Sequence, residues 1–295
     1  MIILPMIFCD YRKEGRSLKA DCHIHAVLDG VDWKGAISRH SQAPDEAFIR
    51  KMLETYQAQG YTYLRDGGDR WGAGILARKL SPEYGITYRT PGAPLCKKGH
   101  YGQFIGCSYE TLQEYTALVI QARHNGMDFI KIMISGLMDF NQFGVLTEPG
   151  IPHIGELVHI AHQEGMAVMA HANGAETVIA ASEAGVDSVE HGAYLNQEAL
   201  YAMKEAGTVW VPTLSTVGNL RGTGRFCETA VEKILESALQ NVHTFSSMGG
   251  LIAPGTDAGA WAVPHGSETE IPLLHQAGVS DAQLQRGISA ITQKF

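Results

Sequence analysis

The chain has 295 residues, 45% of them hydrophobic and 18% charged, a globular composition with enough length for one large core or two modest ones. Its formal charge is −8 and no run of lysine or arginine is long enough to track a phosphate backbone, so no nucleic-acid partner is expected. The opening "MIILPMIF" is apolar, yet too short for a span and without a basic flank, so no membrane partner is expected either. Five cysteines, Cys9, Cys22, Cys96, Cys107 and Cys227, are odd in number and form no C-x-x-C pair. That pattern fits a reducing compartment, and the cytoplasm is the expected location.

After a short extension over 1–17, "LKADCHIH" reads as the first strand. "APDEAFIRKMLETYQAQG" carries apolar residues at helical spacing, acids in its first turn and Gly60 as a stop. "YTYLRDGG" follows as a strand, then a helical stretch around Ile75 to Leu80 and the strand "ITYRTPG". The alternation continues with "SYETLQEYTALVIQARHNG" and "MDFIKIMISG", then "HIGELVHIAHQEG" and "MAVMAHANG". "AETVIAASEAG" precedes "VDSVEHG", and "NQEALYAMKEAG" precedes "TVWVPTL". A long helix from about Thr229 to Ser247 leads to "GLIAPGTDAG", and a last helical segment closes the chain. The strands are short, apolar and mostly non-alternating, as in a parallel sheet covered on both faces. Strict βα alternation over eight strands predicts an α/β fold, a single-domain (β/α)8 TIM barrel over 1–295.

The polar residues fall at particular places along these strands. His23 and His25 end the first, one residue apart and therefore on one face. Lys131 lies in the fourth, amid isoleucine and methionine, while His171, His191 and Asp257 end the fifth, sixth and eighth. In a barrel these C-terminal strand ends converge on one mouth. Each residue alone has an ordinary reading: a hydrogen-bonded histidine, a turn-capping aspartate, a lysine reaching past apolar neighbours to water. Together, four imidazoles and a carboxylate on one rim suit zinc or a similar divalent ion. An ammonium repels a cation, so Lys131 belongs there only if burial leaves it neutral and carbon dioxide converts it to a carbamate, or if it is not a ligand.

The chain resembles the metal-dependent amidohydrolase superfamily, in the branch of imidazolonepropionase and the Xaa-Pro and Xaa-Arg dipeptidase-like enzymes. The motifs that carry the resemblance are "DCHIHA", "TYLRDGG", "GHYGQFIG", "DFIKIMISG", "AHANGAETVIAASEAGVDSVEHG", "VPTL", "GTDAG" and "PHGSETEIPLLHQAGVS". The resemblance implies two divalent metal ions, zinc being the expected pair. His23, His25 and Asp257 would hold one, His171 and His191 the other, and the carbamate of Lys131, formed from carbon dioxide or bicarbonate, would bridge them. A bridging hydroxide would then attack the substrate, with Asp257 as catalytic acid and base. In relatives the loop of "GHYG" faces substrate, which makes His100 and Tyr101 candidates beside the alternative of a turn built for its glycines. Tyr194 and His265 are further substrate-binding candidates, and Arg65 and Asp66 are expected to pair structurally beneath the site.

The family's small β-sandwich domain is expected to be missing wholly or largely, because 17 residues precede the first strand. "MIILPMIF" would be a remnant strand or a lid, and the bared apolar surface would suit a homo-oligomer. Asn173 stands where dipeptidase-like relatives often carry tyrosine. The expected activity is hydrolysis of a C–N amide bond, linear or cyclic, in a small-molecule substrate. The alternatives are lactone or phosphoester hydrolysis on the same site, or a non-catalytic metal- or ligand-binding barrel.

Overall fold

The computed structural model describes residues 18–295, so "MIILPMIF", Cys9 and the rest of the N-terminal extension lie outside the described residues. Strands β1 (Ala20–Ile24), β2 (Tyr63–Asp66) and β3 (Thr87–Arg89) form one parallel sheet. Strands β4 (Leu95–Lys97), β5 (Cys107–Tyr109), β6 (Ile130–Met133), β7 (Val168–Ala172), β8 (Ser188–His191) and β9 (Val209–Val211) form a second, in the order β5-β4-β6-β7-β8-β9. All of its pairings are parallel. Every residue of β1, β2, β6, β7, β8 and β9 is buried, which accounts for their continuous apolar character.

Helices lie between the strands. The pair α1 (Trp33–His40) and α2 (Glu46–Ala58) links β1 to β2, and α3 (Ala73–Leu80) links β2 to β3. Next come α4 (Leu112–His124), α5 (Ile154–Gln163), α6 (Ala175–Glu183) and α7 (Gln197–Ala206). The chain ends through α8 (Ser215–Gly218), α9 (Glu228–Ser247), α10 (Glu270–Gln276) and α11 (Asp281–Lys294). In α2 the Asp45 side chain accepts from the Phe48 amide, and Ile49, Met52, Leu53 and Tyr56 make its buried stripe. Burying side chains of this size contributes about 1.5–3 kcal/mol each. A capping box of Ser280 and Gln283 starts α11. Ile288, Ile291 and Phe295 then pack that helix against Cys22, Tyr63, Met169 and Val209.

Four features depart from the sequence expectation. "GLIAPGTDAG" forms no ladder strand; it makes isolated bridges, Trp210 with Ile252 and Ile24 with Ala258. It nonetheless spans two strands. The Trp210 amide donates to Leu251 O (2.8 Å) on the β9 side, and Asp257 N donates to His23 O (2.7 Å) on the β1 side. Pro254 has no N–H to offer, and Gly255 is needed where a Cβ would lie 2.4 Å from Val211 and 2.9 Å from His23 Cβ. The third predicted strand is shortened to β3, before Pro91, and the chain resumes after Pro94 as β4, in the other sheet and without a counterpart in the sequence reading. Across that break Asp128 N donates to Thr90 O at 3.1 Å. Helix α1 had no counterpart in the sequence reading, and the final helical segment divides into α10 and α11 at Gly278 (φ +82°). Among the described residues no helix is long and apolar enough to cross a membrane.

Candidate metal centre

His23 in β1 and His25, the residue after its end, converge. His23 Nε2 and His25 Nε2 are 3.4 Å apart, and Asp257 Oδ1 lies 3.4 Å from the first and 3.2 Å from the second. Ligand atoms at about 2.0–2.1 Å from a tetrahedral ion are separated by about 3.3 Å, so the triangle has the dimensions of a coordination face. His23, His191 and Asp257 also each bring a ligand atom within 4.8 Å of the others. The His171 and His191 rings are 4.4 Å apart, and His191 is 5.1 Å from His23. His23, His25, His171, His191 and Asp257, read from the sequence as one rim, are thus brought together.

The backbone is strained at the same place. His191 (φ +68°) and Asp257 (φ +57°) occupy the left-handed region, which residues other than glycine enter at a cost of about 1 kcal/mol or more. Contacts on both sides hold them there. His191 Nδ1 lies 2.7 Å from Thr213 Oγ1, and Asp257 is bonded through its amide to His23 O.

Lys131 projects from the middle of β6, is 1% exposed, and its Nζ has no hydrogen-bond partner. Burial lowers its pKa to about 8, against the pull of Glu190 and Asp257, so a neutral amine is available near neutral pH. Burial, and after it the Lys131 charge, also depresses His23 well below the usual range and His171 to about 3. Burial and the neighbouring His171 do the same to His191. These imidazoles are therefore neutral at pH 7, the form that binds a cation. Asp257 stays below its ordinary value although burial pushes it upward. Neutral imidazoles, an ionised carboxylate with Oδ1 lacking a hydrogen-bond donor, and an unpartnered lysine amine fit divalent metal held with a carbamate.

Several residues to which the sequence reading gave no role complete this centre. Glu190, fully buried, takes His23 Nδ1 at 2.7 Å, which leaves Nε2 with its lone pair toward Asp257 and His25. Asn173 Nδ2 donates to Gly136 O (3.0 Å) and its Oδ1 accepts from Ala193 N (2.9 Å), joining the loops after β6 and β8. The tyrosine-to-asparagine difference noted above thus puts a loop brace beside His171, whose Nε2 lies 3.3 Å from Gly136 O. Asp21 accepts from the Thr256 amide and hydroxyl, tying β1 to the segment that carries Asp257. A buried glutamate directly before a strand-end histidine is the signal that would have found Glu190.

The weaker candidates separate. Tyr101 lies against His171, ring centroids 4.9 Å apart, and its amide donates to Glu148 (2.8 Å), which also lies 3.5 Å from His100. Tyr194 packs on Phe143 at 5.4 Å, and its hydroxyl has no partner. His265 has both nitrogens engaged, Nε2 3.0 Å from Leu28 O and Nδ1 3.3 Å from Tyr56 Oη; it braces α2 against the last loop and has no nitrogen left for a substrate. Arg65 and Asp66 do not pair with each other, because neighbours in a strand face opposite ways. Arg65 bonds Glu190 (2.8 Å), whereas Asp66 accepts from Ala26 N and Thr90 Oγ1.

No family model matches the chain. It is 23% identical to the ochratoxinase of Aspergillus niger over 321 residues, which take in 92% of this chain and 65% of the relative's length. Among solved structures, a Xaa-Pro dipeptidase with methionine bound in its active site superposes with a TM-score of 0.75 at 21% identity, covering 94% of this chain and 76% of that one. The crystal structure of the Aspergillus niger ochratoxinase gives 0.74 at 22% identity, with 91% and 68% covered. The chain shares the fold of these two structures. A putative prolidase from Bifidobacterium longum shares it at a TM-score of 0.72 and 22% identity, with 94% and 70% covered.

Proposed function

We propose that the chain is a metal-dependent hydrolase of C–N amide bonds, linear or cyclic, in small molecules, working in the cytoplasm. The two parallel sheets act as one barrel-like domain, with 251–258 joining β9 to β1. The carrying observation is Asp257 Oδ1, which lies within 3.4 Å of the His23 and His25 Nε2 atoms and lacks a hydrogen-bond donor. A merely structural aspartate at a turn would use both oxygens locally. The comparison proteins, an ochratoxinase, a Xaa-Pro dipeptidase and a prolidase by name, support an amide as the bond cleaved.

His23, His25 and Asp257 would hold one ion and His171 and His191 a second, with a Lys131 carbamate shared between them. Ions at these positions would supply Lewis-acid polarisation of the scissile carbonyl and a more acidic water. The Lys131 amine, neutral in part near pH 8, forms the N–C bond to carbon dioxide and sheds a proton. Glu190 keeps His23 in the tautomer whose Nε2 faces the centre. Asp257 takes the proton from the attacking water and delivers it to the leaving nitrogen, so that the amine departs neutral. Tyr101, which lies against His171, would meet the substrate, with His100 and Tyr194 as further candidates.

Asp257→Asn and His171→Asn test the reading. Each is expected to lower turnover of an N-acyl amino acid or dipeptide by about 10³-fold or more while leaving the far-UV circular dichroism of the fold unchanged. Retention of full turnover by either variant would overturn it.

A further inference from the structure

A second cluster of oxygen atoms lies near the metal-binding cage and shares no residue with it. Asp21, Tyr61, Thr256, Ser267, Glu268 and Glu270 are among the residues that line one small cavity. It offers about 10 Å³ to the centre of a water-sized particle, room for one water or one small ion. Glu268 is exposed and Ser267 half-buried, whereas Asp21 and Glu270 are each 1% exposed.

The informative atom is Glu270 Oε1. Glu270 Oε2 accepts from the Ser215 amide (2.7 Å) and hydroxyl (2.9 Å), while Oε1 is buried with no hydrogen-bond partner. Asp21 Oδ1 accepts from the Thr256 and His23 amides (2.9 and 3.3 Å), and Oδ2 accepts from the Thr256 hydroxyl (2.6 Å). A carboxylate has about four lone-pair sites, so Asp21 keeps capacity for another partner. Lys19, the cation nearest to Asp21 in sequence, is turned elsewhere: its Nζ donates to Gln59 O (2.9 Å) and lies 4.5 Å from the Tyr61 ring centroid. Burial first, with Asp21 adding to it, raises the Glu270 carboxyl to about 8. A buried carboxylate left without a counter-charge is costly.

We propose that this cavity is a structural calcium site, held by the Glu270 and Asp21 carboxylates and completed from the solvent side by Glu268 and the Ser267 hydroxyl. Every donor is a hard oxygen, with no imidazole or thiolate to favour zinc. Calcium accepts such ligands in loose and irregular geometry, whereas magnesium demands a near-ideal octahedron. The ion joins β1, through Asp21, to the start of α10, through Glu270. Thr256, clasped by Asp21, lies between them and carries the chain into Asp257. Calcium binds here whatever bond the cage cleaves.

Calcium chloride titrated at pH 8 into the purified protein tests the site, with equilibrium dialysis against radiolabelled calcium and thermal midpoints as readouts. About one calcium per chain is expected to bind at the site, raising the midpoint by about 3 °C or more at saturation, and magnesium is expected to do less. Glu270→Gln is expected to abolish the response, and Glu268→Gln to weaken calcium binding by about tenfold. His171→Asn, which alters the cage, is expected to keep it. Glu268 is exposed, so Glu268→Gln decides the matter if Glu270→Gln does not fold. An unsubstituted protein that binds no calcium overturns the site. So does a response that survives in both glutamate variants, or one that is lost in His171→Asn and therefore belongs to the cage. None of these outcomes bears on the hydrolase reading.

Discussion

Two buried cations, Arg65 on β2 and Lys131 on β6, are almost equally shut off from solvent, at 0% and 1% exposure, yet their surroundings differ in kind. Arg65 is satisfied: Nε donates to Cys22 O (2.7 Å), Nη1 to Ser188 Oγ (2.9 Å) and Nη2 to Glu190 (2.8 Å), with Phe295 stacked 4.5 Å from the guanidinium. Lys131 Nζ has no partner. A buried charge is tolerated when paired and hydrogen-bonded, and an unpaired one is costly. The first arrangement holds strands together. The second leaves an unpartnered amine close enough to His23 and His171 to depress both.

Substitution of both residues by methionine breaks that comparison most sharply. Lys131→Met is expected to lower turnover by about 10³-fold or more with stability unchanged or raised, since an unpaired amine leaves the interior. Arg65→Met is expected to cost about 3–5 kcal/mol in urea unfolding, because Glu190 then keeps a buried charge alone. Equal stability losses in the two variants would erase the distinction between them.

The metal-binding candidates were legible because strand alternation and strand ends are local properties: His23 and His25, two residues apart, are expected on one face, and their Nε2 atoms lie 3.4 Å apart. Glu190 was not legible, since its worth depends on His23 and Arg65, which lie far from it in the chain. The same holds for Asn173, which reads as a missing tyrosine until Gly136 and Ala193 are seen on either side of it. His265 misled in the opposite sense: Leu28 O and Tyr56 occupy its nitrogens. The parallel α/β class was readable from the alternation of textures. The break after β3 and the loss of a ladder at 250–259 came from Pro91, Pro94 and Pro254, which remove donors inside otherwise strand-like runs.

Glu190 joins the two regions, one oxygen facing Arg65 and the other His23. Glu190→Gln is therefore expected to weaken metal affinity by about 10–100-fold, read by competition with a chelator, together with a smaller loss of stability. A loss of stability with unaltered affinity would assign Glu190 to the floor alone.

The smallest effect is expected at Glu270, a buried acid that accepts from the Ser215 amide and hydroxyl. Burial raises its pKa from 4.5 to about 8. The folded protein then keeps a proton that the unfolded chain releases above about pH 4.5, so stability declines as pH rises from there through about 8. Glu270→Gln carries no such proton and is expected to flatten the decline, measured as urea midpoints at pH 5 and pH 8. An unchanged slope would remove Glu270 from the titration.

The central claim is that an unpartnered lysine, four imidazoles and one carboxylate are the ligands of a metal pair. Elemental analysis of the purified protein with its His171→Asn and Lys131→Met variants tests it most directly. The account predicts about two divalent ions per chain, at least one of them lost in each variant. Full turnover by a chelated protein containing no stoichiometric metal would contradict it.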